Sequence, residues 1–459
     1  MKNQVMNPYL PLNEYVPDGE PHVFGDRIYI FGSHDKENGQ VYCMLDYVSY
    51  SAPLDDLSDW RYEGVIYRKE QDPHYAEGVY IWAPDVCQGP DGRYYLYYTT
   101  STELEIAVAV CDEPAGRYEY LGRISYADGT VLRENTPFDA AVLNDDGRIF
   151  LYYGFAPHFP IARMQGVAQP GASVVELETD MLTVKVAPKV IIPARKFASG
   201  TSFEGHAFFE AASMRKINGM YYMIYDSELA HELCYAVSDR PDGGFEFGGP
   251  VISNADVGYN GNTLARNCNA NNHGGLECVN GQWYIFYHRH THAHQCSRQG
   301  CAEKVFLDEN GKIKQVQMTS CGLNPDALKG QGTYNAAYAC NLYEKDGGKS
   351  LPYGKKLEGV PAVVSENGVY IISGMNGGST AVFRYFDLTE TKSVYVKVRG
   401  SSGILKVEAG SGYLSEIKLK ETTGFEEYET EINCSDSNAE FKLIYEGNGR
   451  IDIQSFTFR

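Results

Sequence analysis

Five segments of the chain share one pattern, a turn of polar residues or glycine followed at once by a run of aromatic and aliphatic residues. Such runs favour β-strands, and a strand that directly follows a turn of this kind indicates a hairpin. The segments begin at Asp26, Gly92, Gly147, Gly219 and Gly281. The pattern predicts five similar β-hairpins in the first two thirds of the chain.

The five hairpins recur at intervals of 66, 55, 72 and 62 residues. Each interval can hold one four-stranded antiparallel sheet with its loops, and radial repetition of such sheets forms a β-propeller. A large β-sandwich with similar hairpins is the alternative, but a sandwich does not require such even spacing. We therefore predict an all-β protein in which residues 1–322 form a five-bladed β-propeller.

Beyond residue 322 the pattern changes to short, closely spaced strands. Six runs with alternating character lie between Val369 and Phe456. This spacing is typical of a β-sandwich, which we predict for residues 323–459.

The composition narrows the possible functions. The chain has 36 Tyr and 47 Gly, which suits strands and tight turns. With 60 acidic and 40 basic residues the net charge is −20, which disfavours nucleic acid as a partner. No apolar run is long enough for a membrane span or signal peptide, and the 11 cysteines are scattered. We expect a cytoplasmic protein, or a secreted one if a leader has been removed. No glycine loop indicates an organic cofactor.

Each predicted hairpin is preceded by a polar residue at nearly the same distance. If the strand before each turn is the innermost strand of its blade, these residues lie in a ring at the mouth of the central channel. They stand seven to nine positions before the turns and are Asp18, Asp85, Asp139, Glu210 and His273. Carboxylates that converge in a pocket repel one another, so an acid and a base can coexist there.

Two carboxyl groups on either side of one bond are what glycoside hydrolysis needs. In the inverting form one carboxyl protonates the leaving oxygen while the other activates a water molecule, at a separation of about 6.5–9.5 Å. A ring of carboxylates around a channel offers such a span.

The same segments resemble glycoside hydrolase family 43, whose members are five-bladed propellers with an inverting mechanism. The resemblance covers about residues 8 to 322 and rests on the segments beginning at Asp18, Trp82, Phe138, Phe209 and Asn271. It implies that Asp18 is the general base, Asp139 orients the acid and adjusts its pKa, and Glu210 is the general acid. His273 matches an axial histidine that in many members helps to hold a calcium or other ion.

The first motif departs from the family pattern, because Gly19 follows Asp18 where members commonly have proline. Glu20 is therefore an alternative base, although it lies two residues out of phase. For substrate binding we expect Trp82 to offer a flat face to a sugar, Asp85 to bind a hydroxyl group and Arg289 to reach the substrate. Blade packing is the alternative role for Trp82, and a surface position is the alternative for Arg289.

Four alternating histidines, His288, His290, His292 and His294, would point to one face of a strand. A transition-metal site is one hypothesis for them. The neighbouring cysteines match no zinc spacing, so a polar rim over the pocket is the simpler interpretation.

The last ~80 residues resemble a family 6 carbohydrate-binding module, a class that usually presents an aromatic residue to a sugar. This domain has no tryptophan, and Phe425 stands where that family often has one. We therefore expect it to pack against the propeller as support, with glycan binding as the alternative.

Three functions remain open. The first is an inverting exo-glycosidase that removes terminal α-L-arabinofuranosyl or β-D-xylosyl units from plant hemicellulose or pectin oligosaccharides, with Ca²⁺ as a candidate channel ion. The second is an endo-arabinanase or a galactan-acting enzyme of the same family. The third is a propeller that binds glycan without cleaving it, which the presence of all three candidate carboxylates disfavours.

Overall fold

The computed structural model describes residues 3–158 and 166–459. The prediction of an all-β protein is confirmed, since 49% is strand and 3% helical. The short 3-10 helices among the described residues are Lys69–Gln71, Arg195–Phe197, Tyr259–Gly261 and Ala336–Tyr338. In that part of the chain, no helix has the length and apolar character needed to cross a membrane.

Five small antiparallel sheets follow one another along the chain, and within each the strands pair in sequence order. Sheet 1 consists of β1 (Glu20–Phe24), β2 (Arg27–Phe31), β3 (Tyr47–Pro53) and β4 (Arg61–Tyr67). Sheet 2 consists of β5 (Ile81–Gln88), β6 (Tyr94–Thr100), β7 (Ile106–Cys111) and β8 (Glu119–Arg123). Sheet 3 consists of β9 (Ala141–Asp145), β10 (Arg148–Tyr153), β11 (Gly171–Leu177) and β12 (Val184–Pro193). Sheet 4 consists of β13 (Phe208–Ile217), β14 (Met220–Ser227), β15 (Glu232–Ser238) and β16 (Glu246–Ser253). Sheet 5 consists of β17 (Leu276–Val279), β18 (Gln282–Arg289) and β19 (Gln299–Val305).

Each of the five repeated segments forms the turn and second strand of its sheet. Three of the turns, Asp146-Gly147, Asn218-Gly219 and Asn280-Gly281, have positive φ at both residues, as a two-residue type I′ hairpin requires. These turns fix the register of the first two strands in sheets 3, 4 and 5.

The five sheets are arranged in a closed ring. The first strand of each sheet lies beside the first strands of its two neighbours, and β17 of sheet 5 contacts β1 of sheet 1. A separate hydrophobic cluster fills each space between neighbouring sheets, as between Ile30 of sheet 1 and Phe286 of sheet 5. The starts of all five first strands are thereby brought to one axis.

Two six-stranded sheets follow and share one core. Sheet 6 consists of β20 (Leu328–Lys329), β22 (Asn341–Tyr343), β25 (Thr380–Asp387), β27 (Gly403–Ala409), β28 (Tyr413–Leu419) and β30 (Ala439–Glu446). Sheet 7 consists of β21 (Gly332–Asn335), β23 (Ala362–Glu366), β24 (Val369–Met375), β26 (Ser393–Gly400), β29 (Thr422–Glu431) and β31 (Ile451–Phe458). The core between them includes Phe383 and Phe441 of sheet 6 and Phe456 of sheet 7.

The two parts of the chain are joined by buried polar contacts. Arg384 of sheet 6 is fully buried, and its Nη1 lies 3.2 Å from Oδ2 of Asp256 in the loop after sheet 4. Cys340 and Val382 of the second part also complete the hydrophobic cluster of sheets 4 and 5. The C-terminal domain therefore packs directly on the ring.

Candidate active site

The ring of sheets surrounds a cavity of about 790 Å³ that opens beside the starts of the first strands. Asp18 and Asp139 each lie two residues before the first strand of their sheet, and Glu210 lies near the start of β13. His273 also lines the cavity. The structure thus brings together four of the five polar residues that share one position in the repeat.

The backbone at or next to the three carboxylates adopts a left-handed conformation, with positive φ. The φ angles are 56° at Asp18, 47° at Asp139 and 67° at Ala211, directly after Glu210. A left-handed conformation costs free energy for any residue other than glycine, and residues held in it cluster at functional sites. In β13 the register also shifts after Glu210, which turns the side chain away from the regular strand.

Asp18 is held by a buried arginine. Nη1 of Arg298 donates to Oδ1 of Asp18 at 2.6 Å, and Nδ1 of His288 lies 3.2 Å from the same oxygen. Arg298 is itself fixed by Asp35, whose two carboxylate oxygens accept from Nε and Nη2 at 2.9 and 3.0 Å. The guanidinium also lies over the ring of Tyr42, 4.4 Å from its centroid.

These contacts set the charge of Asp18. Burial alone would raise the pKa of Asp18, but the Arg298 guanidinium and His288 outweigh burial and hold the pKa well below its usual range. Asp18 is therefore ionised. Among the residues that the structure describes, none hydrogen-bonds to Oδ2 of Asp18, so this oxygen is available to a water molecule in the cavity.

Glu210 has the opposite electrostatic environment. Burial and the charge of Asp18 raise the pKa of Glu210, the hydrogen bond from Asn271 lowers it, and the net pKa is about 7. Nδ2 of Asn271 donates to Oε1 at 3.2 Å, while within the described chain Oε2 has no hydrogen-bond partner. Oε2 can therefore carry a proton toward a ligand.

Asp139 lines the same cavity and is influenced by the charges of both residues. Its Oδ2 accepts from the backbone N–H of Ala211 at 3.1 Å and lies 3.6 Å from Nδ1 of His273. Burial and the charges of Glu210 and Asp18 raise the pKa of Asp139. Burial also lowers the pKa of His273 to about 4, so the imidazole is neutral near pH 7.

The cavity wall beyond the carboxylates is largely apolar. It includes Tyr80 and Trp82 from sheet 2 and its preceding loop, Phe138 and Phe155 from the loops before β9 and after β10, and Phe209 from β13. The indole of Trp82 packs edge to face on Phe138 at 5.3 Å, so it contributes to packing and to the cavity surface at once. Flat apolar walls with a few convergent polar groups are typical of ligand pockets.

The structure places two of the expected substrate-binding residues outside this cavity. Asp85 lies four residues inside β5, where its Oδ1 is 2.6 Å from Nε2 of His22 and its Oδ2 accepts from the N–H of Val142. Arg289 is buried and donates to the carbonyl oxygens of Ala339, Cys340 and Asn7. Neither lines the cavity, so Asp85 supports the ring and Arg289 supports the contact between the two parts of the chain.

The alternative base Glu20 also lies outside the cavity lining. Its Oε2 accepts from Ser213 and from Nη2 of Arg215, at 3.0 and 3.2 Å. The geometry favours Asp18 over Glu20 as the residue that meets a ligand.

Sequence reasoning missed Arg298, Tyr42 and the role of His288. His288 belongs to the alternating histidine run, but only this member contacts Asp18 through Nδ1, while its Nε2 donates to the carbonyl of Asn271 at 2.9 Å. No described group of three metal-ligating side chains contains a histidine of that run. Arg298 stands four residues after His294, and no local sequence signal distinguishes it from Arg289 within the same stretch.

The residues around His273 do not form a calcium site by themselves. Calcium prefers six to eight oxygen ligands. Oδ1 of Asp18 is already bound to Arg298, and in residues 3–158 and 166–459 no set of three close ligand atoms includes His273. This donor set does not fit a protein-held calcium ion.

Two carboxyl groups in one cavity, one with a lowered and one with a raised pKa, are the arrangement that glycoside hydrolysis needs. The family model of glycosyl hydrolases family 43 matches residues 14–313, about two thirds of the chain. The chain therefore belongs to glycosyl hydrolase family 43, as its motifs predicted.

Similar proteins agree with this assignment. A xylosidase/arabinosidase of Thermoclostridium stercorarium is 44% identical, over 100% of this chain and 99% of the relative. A family 43 β-xylosidase/α-arabinofuranosidase from a compost microbial metagenome, solved with xylotriose in a calcium-free form, is 25% identical with a TM-score of 0.55, over 69% of this chain and 98% of that one. A Bacillus subtilis arabinoxylan arabinofuranohydrolase solved with cellotetraose shares the fold over 98% of this chain and 97% of its own, with a TM-score of 0.52 and 19% identity.

Proposed function

We propose that the protein is an inverting exo-glycosidase that removes terminal α-L-arabinofuranosyl or β-D-xylosyl units from plant-derived oligosaccharides. The observation that carries this proposal is the placement of Asp18 and Glu210 in one cavity with pKa values displaced in opposite directions. The full-length similarity to a xylosidase/arabinosidase supports the choice of sugar.

The reaction follows from the two carboxyl groups. The sugar binds with its anomeric carbon between them, and Oδ2 of ionised Asp18 accepts a proton from a water molecule that attacks this carbon. Protonated Glu210 donates its proton to the glycosidic oxygen as the bond to the leaving group breaks. One bond forms opposite to the one that breaks, so the anomeric configuration inverts.

The other polar residues maintain the two charge states. Arg298 keeps Asp18 ionised and fixes its orientation, because its guanidinium is clamped by Asp35. Asp139 places a third carboxyl group near Glu210, and mutual repulsion keeps a proton on the pair. A binder without catalytic activity would have no need for this arrangement.

The five sheets and the two larger sheets support the finer architecture. We propose that sheets 1 to 5, within residues 1–322, are the blades of a five-bladed β-propeller, and that residues 323–459 form a β-sandwich resembling a family 6 carbohydrate-binding module. The closed ring of first strands and the shared core of sheets 6 and 7 support both assignments. Phe425 lies under the guanidinium of Arg399, 4.6 Å from ring centroid to Cζ, which argues for a structural role of the module.

The test is a parallel screen of nitrophenyl α-L-arabinofuranoside, β-D-xyloside and β-D-galactofuranoside. We expect turnover of the first or the second. Proton NMR of the first-formed sugar should show the inverted anomer. Retention of configuration would contradict the role of Asp18, and absence of turnover with all three and with arabino- and xylo-oligosaccharides would refute the exo-glycosidase assignment.

A further inference from the structure

A loop of the C-terminal domain reaches into the catalytic cavity. Between β22 and β23, the residues Ser350, Leu351 and Tyr353 line the same cavity as Asp18 and Glu210. The loop thus belongs to the site although its sequence lies outside the five repeated sheets and outside the part that the family model matches.

Backbone hydrogen bonds join this loop to the ring on both of its flanks. On one flank Asn269 N–H donates to the carbonyl of Lys349, and Leu351 N–H donates to the carbonyl of Asn269, both at 3.0 Å. On the other flank Leu357 N–H donates to the carbonyl of Ala293 at 2.9 Å. Such ladders fix the position of the loop relative to the ring.

The two ring segments that receive the loop also carry active-site residues. Asn269 stands two residues before Asn271, which binds Glu210, and Ala293 stands five residues before Arg298, which binds Asp18. The loop therefore lies directly beside the segments whose residues Asn271 and Arg298 bind the acid and the base.

At Gly354 the loop approaches the connection between β2 and β3 of sheet 1 so closely that a larger residue has no room. Gly354 has φ +65°, and a Cβ at this position would lie 2.5 Å from the carbonyl oxygen of Gln40. Directly before it, the ring of Tyr353 packs edge to face on Tyr42 at 5.4 Å. Tyr42 in turn lies under Arg298.

Tyr353 is 57% exposed even though it lines the cavity, whereas Leu351 is 7% exposed. Leu351 anchors the loop in a small apolar cluster with Cys268 and Ala293. An anchored loop that presents a solvent-accessible aromatic ring at a cavity wall is suited to packing against a sugar ring, because the ring is rigid, amphipathic and loses little entropy on binding.

We propose that Tyr353 forms part of the subsite for the sugar on the leaving-group side of the scissile bond, so that the C-terminal domain completes the active site. The ligand is a pyranose or furanose unit of the oligosaccharide that remains after cleavage. This inference rests on the proposed exo-glycosidase function. It assigns to the C-terminal domain a role in substrate selection at the catalytic cavity, which differs from independent binding of glycan.

The experiment compares two substrates that carry the same terminal sugar, a disaccharide and a glycosyl fluoride. The fluoride has a single atom as leaving group, so it does not occupy the leaving-group subsite. We expect Tyr353→Ala to lower kcat/KM for the disaccharide at least tenfold more than for the fluoride, and Tyr353→Phe to recover most of that loss. Tyr62→Ala is the matched control, because Tyr62 is 52% exposed on β4 and does not line the cavity.

The outcomes are distinct. A loss of equal size for both substrates, or no loss for either, would overturn the inference, since the loop would then act only as support or not at all. Thermal unfolding of each variant separates such support from a subsite, because a subsite residue changes kcat/KM without lowering the unfolding temperature. Failure of the wild-type protein to hydrolyse either substrate would instead refute the proposed function, and this inference with it.

Discussion

Nη1 of Arg298 lies 2.6 Å from Oδ1 of Asp18, and both side chains are buried. The same guanidinium is bound through two other nitrogens to Asp35. One arginine therefore bridges two carboxylates, of which one is a structural anchor and the other faces the cavity. A charge-assisted bond in this setting both orients the base and keeps it ionised.

Replacement of Arg298 by lysine should impair this bridge while retaining a positive charge. A lysine ammonium is compact and cannot reproduce the planar fork that contacts Asp18 and Asp35 together. Loss of a hydrogen bond to a charged group costs about 1.5–3 kcal/mol, which predicts a kcat/KM about 10- to 100-fold lower. The pKa of Asp18 should rise, so the acid limb of the kcat/KM profile should move to higher pH.

Arg61→Lys serves as the control, because Arg61 is exposed on β4 and, among the described residues, forms an ion pair with Glu63 alone. An Arg298→Lys variant with the wild-type pH profile would contradict the proposed control of Asp18 by Arg298.

The pH dependence of the wild-type enzyme follows from the two displaced pKa values. Glu210 must carry a proton to act as acid, and its pKa is raised to about 7, so kcat/KM should fall as the pH rises through about 7. Asp18 must be ionised to act as base, and its pKa is lowered, so the loss on the acid side should lie below the range of an ordinary aspartate. Measurement of kcat/KM across the stable pH range checks both limbs. An optimum in the alkaline range would be incompatible with this assignment.

The two catalytic roles can be separated with glycosyl fluorides, whose leaving group needs no protonation. Glu210→Gln should nearly abolish hydrolysis of a disaccharide, with a loss of about 10²- to 10⁴-fold, but should retain much of the activity on the fluoride. Asp18→Asn should lose activity on both substrates, because the attacking water is no longer activated. Equal behaviour of the two variants would argue against the assigned roles.

The local features of the fold could be predicted from sequence because they repeat. The hairpin turns, such as Asn280-Gly281, are encoded by residues that tolerate positive φ, and their even spacing indicates repeated sheets. The meeting of Asp18, Asp139, Glu210 and His273 in one cavity could be predicted for the same reason, since equal offsets in similar sheets place side chains at one axis.

The errors and omissions come from features that do not repeat. β5 begins at Ile81, so Asp85 lies within its strand, whereas Asp18 and Asp139 precede theirs. Arg289 and Arg298 are nine residues apart in one histidine-rich stretch, and only the pairing with Asp35, 263 residues away, decides which of them reaches the site. Long-range partners of this kind have no local sequence signal.

Removal of divalent ions tests the predicted calcium site. His273 contributes to no described group of three close ligand atoms, so an ion on the axis would be bound mostly by water and weakly. We expect kcat/KM after treatment with a chelator to stay within about twofold of the untreated value. A loss of tenfold or more that added Ca²⁺ restores would show that an ion is part of the site after all.

Tyr42→Phe tests whether Tyr42, which lies outside the carboxylate cluster, helps to orient the acid Glu210. Oη of Tyr42 donates to Oδ1 of Asn271 at 3.3 Å, which leaves the amide nitrogen of Asn271 to donate to Glu210. Without the hydroxyl group the amide is free to turn, and loss of a hydrogen bond of this kind costs about 0.5–1.5 kcal/mol, a factor of about 2 to 10 in kcat/KM.

The direction of the pH effect distinguishes this role from a general loss of stability. The bond from Asn271 lowers the pKa of Glu210, so weakening it should raise that pKa and move the alkaline limb of kcat/KM to higher pH. The phenylalanine ring still lies under Arg298, so the acid limb should stay in place. Tyr445→Phe removes a comparable hydrogen bond, from Oη to the carbonyl of Ser402 in the C-terminal domain, and should leave both limbs unchanged. A Tyr42→Phe profile that matches this control would mean that Asn271 holds Glu210 without help.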